Sequence, residues 1–447
     1  MTHLSVREWG RVPVGEGGFT RGQADILLAA ARTHRCGGSE GTSILTDHHR
    51  HLTAKQVVGV LAGTDCSLEI LPKVDPERPD EDASSVRRRL IGMLDVALGL
   101  DLSAGAPTEL DRQGETLLDI LIRLFASRLL DEVRRGLPRL YRQVDEDLPA
   151  LRGRIDVTRQ FTVHAVRADR LACRFDALEG DTPLLQIMRA AVVFLGRHAR
   201  TAGAQRQLGE LRHLLDEVSD VAPARLPWER VKLDRSNRRW RTLLELARLF
   251  LKREWQATHH RSRSASGITL LFPMNDLFEA FVAGLLRRAF AGSDVEVVAQ
   301  GGLRYCLGDW ADGADCTGTT FQTRPDIIIR RGNEILAIID TKWKAIAEPF
   351  EGKGGVSQAD VYQMMAYSRL YRCRDLMLLY PSRPGEGDGE RKAFGLHGGA
   401  ERLRIAQVDV SRDVRTVAGS LSNLLAHVRN LPQNGRDAKE LLVSSVD

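Results

Sequence analysis

The stretch R-P-D-I-I-I-R-R-G-N-E-I-L-A-I-I-D-T-K-W-K, residues 324–344, decides the fold of the C-terminal part of this chain. Two apolar runs, Ile327–Ile329 and Ile335–Ile339, flank the turn sequence Arg331-Gly332-Asn333. Gly and Asn tolerate the positive φ that a tight turn needs, so the pattern predicts a β-hairpin. Asp326, Asp340 and Lys342 then lie at the same end of the two strands.

Three of these residues suggest a chemistry. Asp340 and Lys342 are separated by one residue, so in an extended strand their side chains point the same way. Asp326, at the start of the first strand, would bring a second carboxylate, and two carboxylates repel unless a divalent cation lies between them. A lysine beside them can orient water or stabilise charge on a phosphate. The set favours Mg²⁺-dependent phosphodiester hydrolysis; an ordinary Asp–Lys pair on a surface hairpin is the alternative.

Composition is that of a soluble globular protein, with 43% hydrophobic and 28% charged residues. The net charge of +5 permits nucleic-acid binding through local patches without requiring it. The six cysteines include no C-x-x-C pair, which indicates free thiols. The N-terminus lacks a signal-peptide apolar region, and no apolar run approaches the roughly 20 residues that span a bilayer. We therefore expect a cytoplasmic protein with no membrane partner.

The length of 447 residues predicts two or three domains. Composition and periodicity divide the chain into an N-terminal mixed α/β segment, a helical middle region and a C-terminal α/β segment, at residues 1–75, 76–265 and 266–447. A linker rich in Pro, Asp and Glu is predicted at Pro76–Asp82, and in the middle region only Leu151–Val157 is predicted to be extended. In residues 1–75 the other predicted elements are an irregular strand at Val6–Val14, strands at Gln56–Leu61 and Ser67–Val74, and a helix at Ala24–Ala31. In residues 76–265 helices are predicted at Leu184–Ala199, Gln205–Glu217 and Asn237–Trp255.

The last of these helices and the residues after it are rich in Arg, Lys and His. A solvated helix face explains this composition as well as a surface that contacts phosphates does.

In the C-terminal segment the predicted order is helix, three strands, helix and strand. The helices are Asp276–Phe290 and Ala359–Tyr371, a strand is predicted at Val295–Ala299 before the hairpin and another at Leu376–Tyr380. A loop is expected at Gly308–Gly318, a further strand at Leu403–Val410 and a final helix at Arg415–Val428. With Asp326, Asp340 and Lys342 on the second and third strands, this order resembles the core of the PD-(D/E)xK nuclease superfamily.

Two further features lie on the flanking helices. Glu279 is a candidate metal ligand or base, although Asp276-x-x-Glu279 also fits a helix-capping box in which Glu279 would bind a backbone N–H. Gln363 and Tyr367 are four residues apart and share a helical face. After P-D and D-x-K, the pattern Q-x-x-x-Y resembles the RecB-type branch of these nucleases, in which it lines the active site.

The chain as a whole resembles the McrC family, the nuclease subunits of McrBC modified-cytosine restriction systems. Seven motifs carry the resemblance, in this order: L-E-I-L-P-K-V (Leu68–Val74), L-R-G-R-I-D (Leu151–Asp156), M-N-D-L-F-E-A-F-V (Met274–Val282), R-P-D (Arg324–Asp326), I-D-T-K-W-K (Ile339–Lys344), D-V-Y-Q-M-M-A-Y (Asp360–Tyr367) and L-L-Y-P (Leu378–Pro381). The implied fold is a multidomain α/β protein with an N-terminal mixed α/β domain, a central helical region and a C-terminal PD-(D/E)xK restriction-endonuclease-like α-β-β-β-α-β core.

The resemblance also implies a division of labour. A McrB-like AAA+ GTPase hexamer would supply recognition of modified double-stranded DNA and movement on it, and residues 1–75 would dock into that ring and stimulate GTP hydrolysis. This chain would cut the DNA and bind no nucleotide itself, since it has no G-x-x-x-x-G-K-[ST] loop.

Within the active site, Mg²⁺, or Mn²⁺ in its place, would be held by Asp326 and Asp340, with Glu279 and the Thr341 carbonyl. Lys342 would position water or stabilise the oxyanion, and Gln363 and Tyr367 would orient Lys342 or the DNA backbone.

Two other hypotheses remain open from the sequence, and the first is of a different, non-enzymatic class. The chain could be a non-enzymatic adaptor that binds DNA and activates an AAA+ partner, although an intact Asp/Asp/Lys set argues against it. It could also be a stand-alone RecB-like repair nuclease, against which the long region before residue 266 argues.

Overall fold

The computed structural model describes residues 2–37, 43–63, 65–73, 82–100, 115–164, 166–167, 169–235, 237–251, 268–310, 317–344, 346 and 355–429. Two compact units are present: one combines residues 1–113 with 271–447, and the other comprises residues 114–270. The first and last predicted segments thus share one unit, because their elements pair and pack with each other. The functional division into residues 1–75, 76–265 and 266–447 stays a prediction. The linker expected at Pro76–Asp82 lies outside the described residues except for Asp82.

The N-terminal part of the first unit is a mixed α/β fold. Its elements are β1 (Thr2–Arg7), β2 (Arg11–Pro13), α1 (Arg21–Thr33), β3 (Leu45–Asp47), β4 (His51–Ala54), β5 (Val57–Gly63), β6 (Cys66–Leu71) and α2 (Ala83–Leu98). In place of one irregular strand over Val6–Val14, the chain forms β1 and β2, since Trp9 adopts a positive φ of 63° between them. Helix α1 begins at the capping box of Thr20 and Gln23.

The second unit contains α3 (Leu117–Arg135), β7 (Leu140–Leu148), β8 (Arg154–Ile155), α4 (Val157–Thr162), β9 (Leu171–Glu179), α5 (Pro183–Gly196), α6 (Ala202–Leu214) and α7 (Arg241–Leu251). The expectation of a helical region with one extended piece was wrong, because β7, β9 and β8 form a sheet. Strand β7, L-Y-R-Q-V-D-E-D-L, is largely exposed and polar, so it lacks the apolar alternation that predicts a strand. Cross-strand ion pairs such as Arg174–Asp145, at 2.7 Å, replace apolar contacts.

Part of the predicted basic helix lies in this unit. Helix α7 begins at Arg241, four residues later than predicted. Residues 252–267, which hold most of the basic run after it, lie outside the described residues.

The C-terminal part of the first unit contains β10 (Leu270–Pro273), α8 (Met274–Ala289), β11 (Glu296–Ala299), β12 (Tyr305–Asp309), β13 (Thr317–Gln322), β14 (Ile327–Arg331), β15 (Glu334–Thr341), α9 (Gln358–Tyr371), β16 (Asp375–Pro381), β17 (Gly389–Gly395), β18 (Arg402–Val408), α10 (Val414–Leu424) and α11 (Ala426–Arg429). Six of the strands form one sheet in the order β11-β14-β15-β16-β18-β17. Strands β11, β14 and β15 are antiparallel in turn, and β16 lies parallel to β15.

The predicted hairpin is confirmed. Ile327 pairs with Ile339 and Ile328 with Ile338, and Gly332 takes a φ of +57° in the turn. Strand β15 lies between β14 and β16, so its apolar residues are buried. The predicted loop at Gly308–Gly318 is partly wrong, because β12 and β13 pair across it; residues 311–316 lie outside the described part. Strand β17 was missed, and α10 with α11 replaces one final helix.

The two parts of the first unit are joined through a shared sheet and a helix pair. Strand β10 completes the N-terminal sheet, in the order β1-β6-β5-β10. Helix α2 packs against α8, where a Cβ on Gly284 would come within 2.8 Å of the Val96 side chain. The glycine therefore permits this close approach. Among the described residues, no helix is long and apolar enough to cross a bilayer.

A buried ion pair joins strands β16 and β18 of the six-stranded sheet. Its removal gives the first prediction. Arg404 of β18 is 2% exposed and donates to both carboxylate oxygens of Asp375, at 2.8 and 2.6 Å. Asp375→Ala leaves the guanidinium buried without that partner, so the free energy of unfolding should fall by about 3–5 kcal/mol. Urea denaturation followed by circular dichroism measures the change.

The control is Glu296→Ala, which removes an exposed pair with Arg330 whose side chains are 61% and 43% accessible. It should cost at most about 1 kcal/mol. Equal losses in the two variants would contradict the role given to Asp375.

Candidate active site

Asp340 is the most deeply buried acidic group at the end of the hairpin. It is fully buried near the end of β15, where it follows a run of apolar residues. Lys342 Nζ lies 2.6 Å from its Oδ2, and Gln363 Nε2 donates to its Oδ1 over 3.1 Å. The expectation that Asp340 and Lys342 face the same way is therefore confirmed.

Asp326 precedes β14 and faces the end of β15. Its Oδ2 accepts hydrogen bonds from the backbone N–H of Thr341 at 2.7 Å and from the Thr341 hydroxyl at 2.9 Å. Because Thr341 adjoins Asp340, these bonds hold the two acidic residues in one site. The predicted role of the Thr341 carbonyl as a metal ligand stays a prediction.

Glu279 reaches the same site from helix α8. It is 9% exposed, and Gln300 Nε2 donates to its Oε2 over 3.2 Å. The capping-box alternative is wrong, since Pro273 is the N-cap and Asp276 already lies inside the helix. Glu279 therefore has no capping role. Burial, and then the charge of Asp326, raises the pKa of Glu279.

Gln363 and Tyr367 of α9 form a network with the acidic pair, as the shared helical face predicted. Gln363 Nε2 lies 2.7 Å from the Tyr367 hydroxyl, which donates to the Arg324 carbonyl over 3.3 Å. Gln363 Oε1 lies 3.4 Å from Lys342 Nζ. One amide thus contacts both Asp340 and Lys342, which fixes their relative positions.

Burial and like charge dominate the electrostatics of the site. Burial, with the charge of Asp326, raises the pKa of Asp340 to about 6 and that of Glu279 to about 7. Burial also raises the pKa of Asp326. For Lys342, burial lowers the pKa but the neighbouring Asp340 and Asp360 outweigh it and raise it above its usual value. The site therefore holds an excess of negative charge that one ammonium group only partly offsets.

Two contributors were not predicted from the sequence. Asp360, in the first turn of α9, pairs with Lys344 at 2.7 Å and lies 3.8 Å from Lys342 Nζ. Gln300 links Glu279 to Arg324. The motif D-V-Y-Q contains Asp360 three residues before Gln363, so its position one helical turn earlier could have identified it; Gln300 carries no comparable signal.

The donor chemistry of the site fits a hard divalent cation. Asp326, Asp340 and Glu279 offer the carboxylate oxygens that Mg²⁺ prefers. Burial raises the pKa of all three, and the charge of Asp326 adds to this for Asp340 and Glu279, so a cation beside them would favour their charged forms. Within the described part of the chain, no three His, Cys, Asp or Glu side chains form a ready-made metal centre. In this structure the counter-charge beside Asp340 is Lys342.

A family model and two solved structures match this chain; the first gives its family and the other two share its fold. A model of the McrBC 5-methylcytosine restriction system component family matches residues 52–381, which include every candidate site residue. A chain from the refined half-complex of the tetradecameric assembly of Thermococcus gammatolerans McrB AAA+ hexamers with bound McrC is 20% identical, with a TM-score of 0.71; the match covers 95% of this chain and 100% of that one.

A second solved structure shares the fold over a shorter region. A chain of the Thermococcus gammatolerans McrBC complex, solved by cryo-EM, is 24% identical, with a TM-score of 0.54 over 65% of this chain and 88% of that one. A search of curated proteins gives no match.

The pKa of Glu279 gives a pH-dependent prediction. Between about pH 4.5 and 7 the unfolded chain loses the Glu279 proton while the folded chain retains it, so this group lowers stability as the pH rises. Glu279→Gln cannot ionise. In metal-free buffer, the thermal midpoint of Glu279→Gln minus that of wild type should therefore become more positive as the pH rises from about 4.5 to about 8.

Glu296→Gln, at an exposed glutamate of β11, controls for removal of a charge from the surface. A Glu279→Gln midpoint that keeps the same offset from wild type at both pH values would contradict the raised pKa.

Proposed function

This chain belongs to the family of McrBC 5-methylcytosine restriction system components, as the resemblance to McrC-type chains predicted, and we propose that it is the DNA-cleaving subunit of such a system. The observation that carries the proposal is the convergence of Asp340, Lys342 and Asp326 at one end of β14 and β15. A buried, unequal set of two carboxylates and one ammonium has little value for stability, which favours a catalytic role.

The arrangement of elements supports a PD-(D/E)xK assignment. Helix α8, strands β11, β14 and β15, helix α9 and strand β16 follow one another in the order α-β-β-β-α-β, with β12 and β13 inserted after β11. Asp326 lies immediately before the second strand of that series and Asp340 lies on the third, which is the order that the superfamily resemblance gives its acidic residues.

Each residue then has a role that follows from its surroundings. Asp326 and Asp340, with Glu279 and the Thr341 carbonyl, would hold Mg²⁺ or Mn²⁺. The ion, when bound, would supply Lewis acidity and offset charge on the phosphate. Lys342, kept protonated by Asp340 and Asp360, would donate hydrogen bonds to an attacking water or to the developing oxyanion.

Gln363 would set the orientation of Lys342, since the same amide contacts Lys342 and Asp340. Tyr367 would support Gln363 from the adjacent turn of α9. Burial raises the pKa of Tyr367 to about 12, so its hydroxyl would remain a neutral donor near an anionic substrate.

The proposed partner is a McrB-like AAA+ GTPase hexamer acting on modified double-stranded DNA. Both solved structures above contain McrB with McrC, and this sequence lacks a phosphate-binding loop of its own. The partner would therefore supply GTP-driven movement on DNA, and this chain would stimulate the GTPase and cut.

Removal of either aspartate should greatly reduce the rate of plasmid cleavage. Asp326→Ala and Asp340→Ala each delete a metal ligand and its charge, so plasmid cleavage with the AAA+ partner, GTP and Mg²⁺ should fall at least about 100-fold. The rate of loss of supercoiled plasmid on agarose gels measures it. Glu334→Ala, at the exposed opposite end of β15, is the matched control and should cleave as wild type does.

The other outcomes separate the competing hypotheses. Cleavage by wild type without partner and GTP would favour a stand-alone nuclease. Stimulation of GTP hydrolysis by wild type and Asp340→Ala alike, with no cleavage by either, would favour an adaptor without catalytic activity.

Metal binding can be tested apart from cleavage. Mg²⁺ or Mn²⁺ at about 100 times its dissociation constant should stabilise the wild-type chain by about 2.7 kcal/mol. Lys342→Met should retain a stabilising response, because it removes no ligand, whereas Asp326→Asn/Asp340→Asn should lose it. Thermal unfolding with and without the ion measures the response, and an equal shift in all three proteins would contradict the assigned ligands.

A further inference from the structure

Trp343, the residue immediately after Lys342, is held by hydrogen bonds at each of its polar groups. Its indole Nε1–H donates to Glu8 Oε2 over 3.1 Å. Its carbonyl accepts from Gln56 Nε2 over 2.8 Å, and its backbone N–H donates to Asn275 Oδ1 over 3.2 Å. Two of the three partners belong to the N-terminal part of the chain, far from the hairpin in sequence.

These contacts are buried and specific. Trp343 is 6% exposed and Glu8 1% exposed. Glu8 Oε2 also accepts the backbone N–H of Lys73 at 3.0 Å, which fixes the carboxylate between β6 and the indole. The Trp343 ring packs against Phe278 with the centroids 5.4 Å apart. The second carboxylate oxygen, Glu8 Oε1, is buried with no hydrogen-bond partner among the described residues, which is costly, so stability alone gives little reason to place Glu8 there.

The backbone of Lys342 depends on this attachment. Strand β15 ends at Thr341, and beyond it the Lys342 N–H donates to the Leu379 carbonyl over 2.9 Å. The next fixed point along the chain is Trp343. A shift of Trp343 would therefore move Lys342 Nζ relative to Asp340, since one peptide unit joins the two residues.

We propose that Glu8 and Gln56 are positioning residues for Lys342, so that the N-terminal part of the chain completes the cleavage site. This inference rests on the proposed nuclease function. It implies that a movement of β1 or β6 relative to α8 would shift Lys342 through the side chain of Trp343.

The test compares kcat and KM for plasmid cleavage by full-length variants with the AAA+ partner, GTP and Mg²⁺. Glu8→Ala should lower kcat on the order of 10- to 100-fold with KM for DNA unchanged, because it misplaces a reacting group rather than weakening DNA binding. Gln56→Ala should act in the same direction. Glu8→Gln should restore kcat, because its amide oxygen accepts the same two hydrogen bonds.

A second variant keeps the inference testable where Glu8→Ala folds poorly. Trp343→Phe removes the indole donor and keeps a ring against Phe278, and it should lower kcat as Glu8→Ala does. In a double-mutant cycle, the combination of Glu8→Ala with Trp343→Phe should lower kcat no further than either change alone, because both remove the same contact.

Glu69→Gln serves as the matched control for stability. Glu69 is a buried carboxylate of the same sheet, held by Arg87 and Ser5, so its variant should lower the thermal midpoint and leave kcat unchanged. Wild-type kcat in Glu8→Ala and Trp343→Phe, with Lys342→Ala inactive, would overturn this inference and leave the nuclease function intact. No cleavage by wild type under any condition would overturn both.

Discussion

The burial of the Asp340 carboxylate is the constraint on which the rest of the C-terminal fold depends. A carboxylate without exposure to water, at the end of a strand buried between two neighbours, must have a cation or donors beside it. Lys342 and Gln363 supply these. The hairpin positions Lys342 and helix α9 positions Gln363. The site therefore forms only where strand, turn and helix are all in place.

The same burial gives the site its chemical character. Burial raises the pKa of Asp340, repulsion from Asp326 raises it further, and Thr341 holds Asp326 in the position that causes this repulsion. Such repulsion lowers the stability of the protein by itself, since replacement of buried charge by apolar side chains is often neutral or stabilising. Perturbed carboxylates gathered with a lysine are therefore better explained by a binding or catalytic task than by folding.

The resemblance to RecB-type nucleases added Gln363 and Tyr367, while local patterns predicted the hairpin, the order of helices and strands around it, and the shared face of Asp340 and Lys342. These depend on side-chain alternation and turn chemistry, which act over a few residues. The β7–β9 sheet was not predictable in this way, because its strands are stabilised by ion pairs between residues about 30 positions apart. Glu279 illustrates the limit: its sequence spacing fitted a capping box, and only the helix start at Met274 excludes it.

The contacts of Trp343 were equally hidden from the sequence, because they join residues separated by hundreds of positions. They follow from topology. Strand β10 extends the N-terminal sheet and leads directly into α8, so one short segment brings Asn275 beside Gln56 and the end of β15. The N-terminal sheet and the end of β15 are therefore both anchored at this one segment.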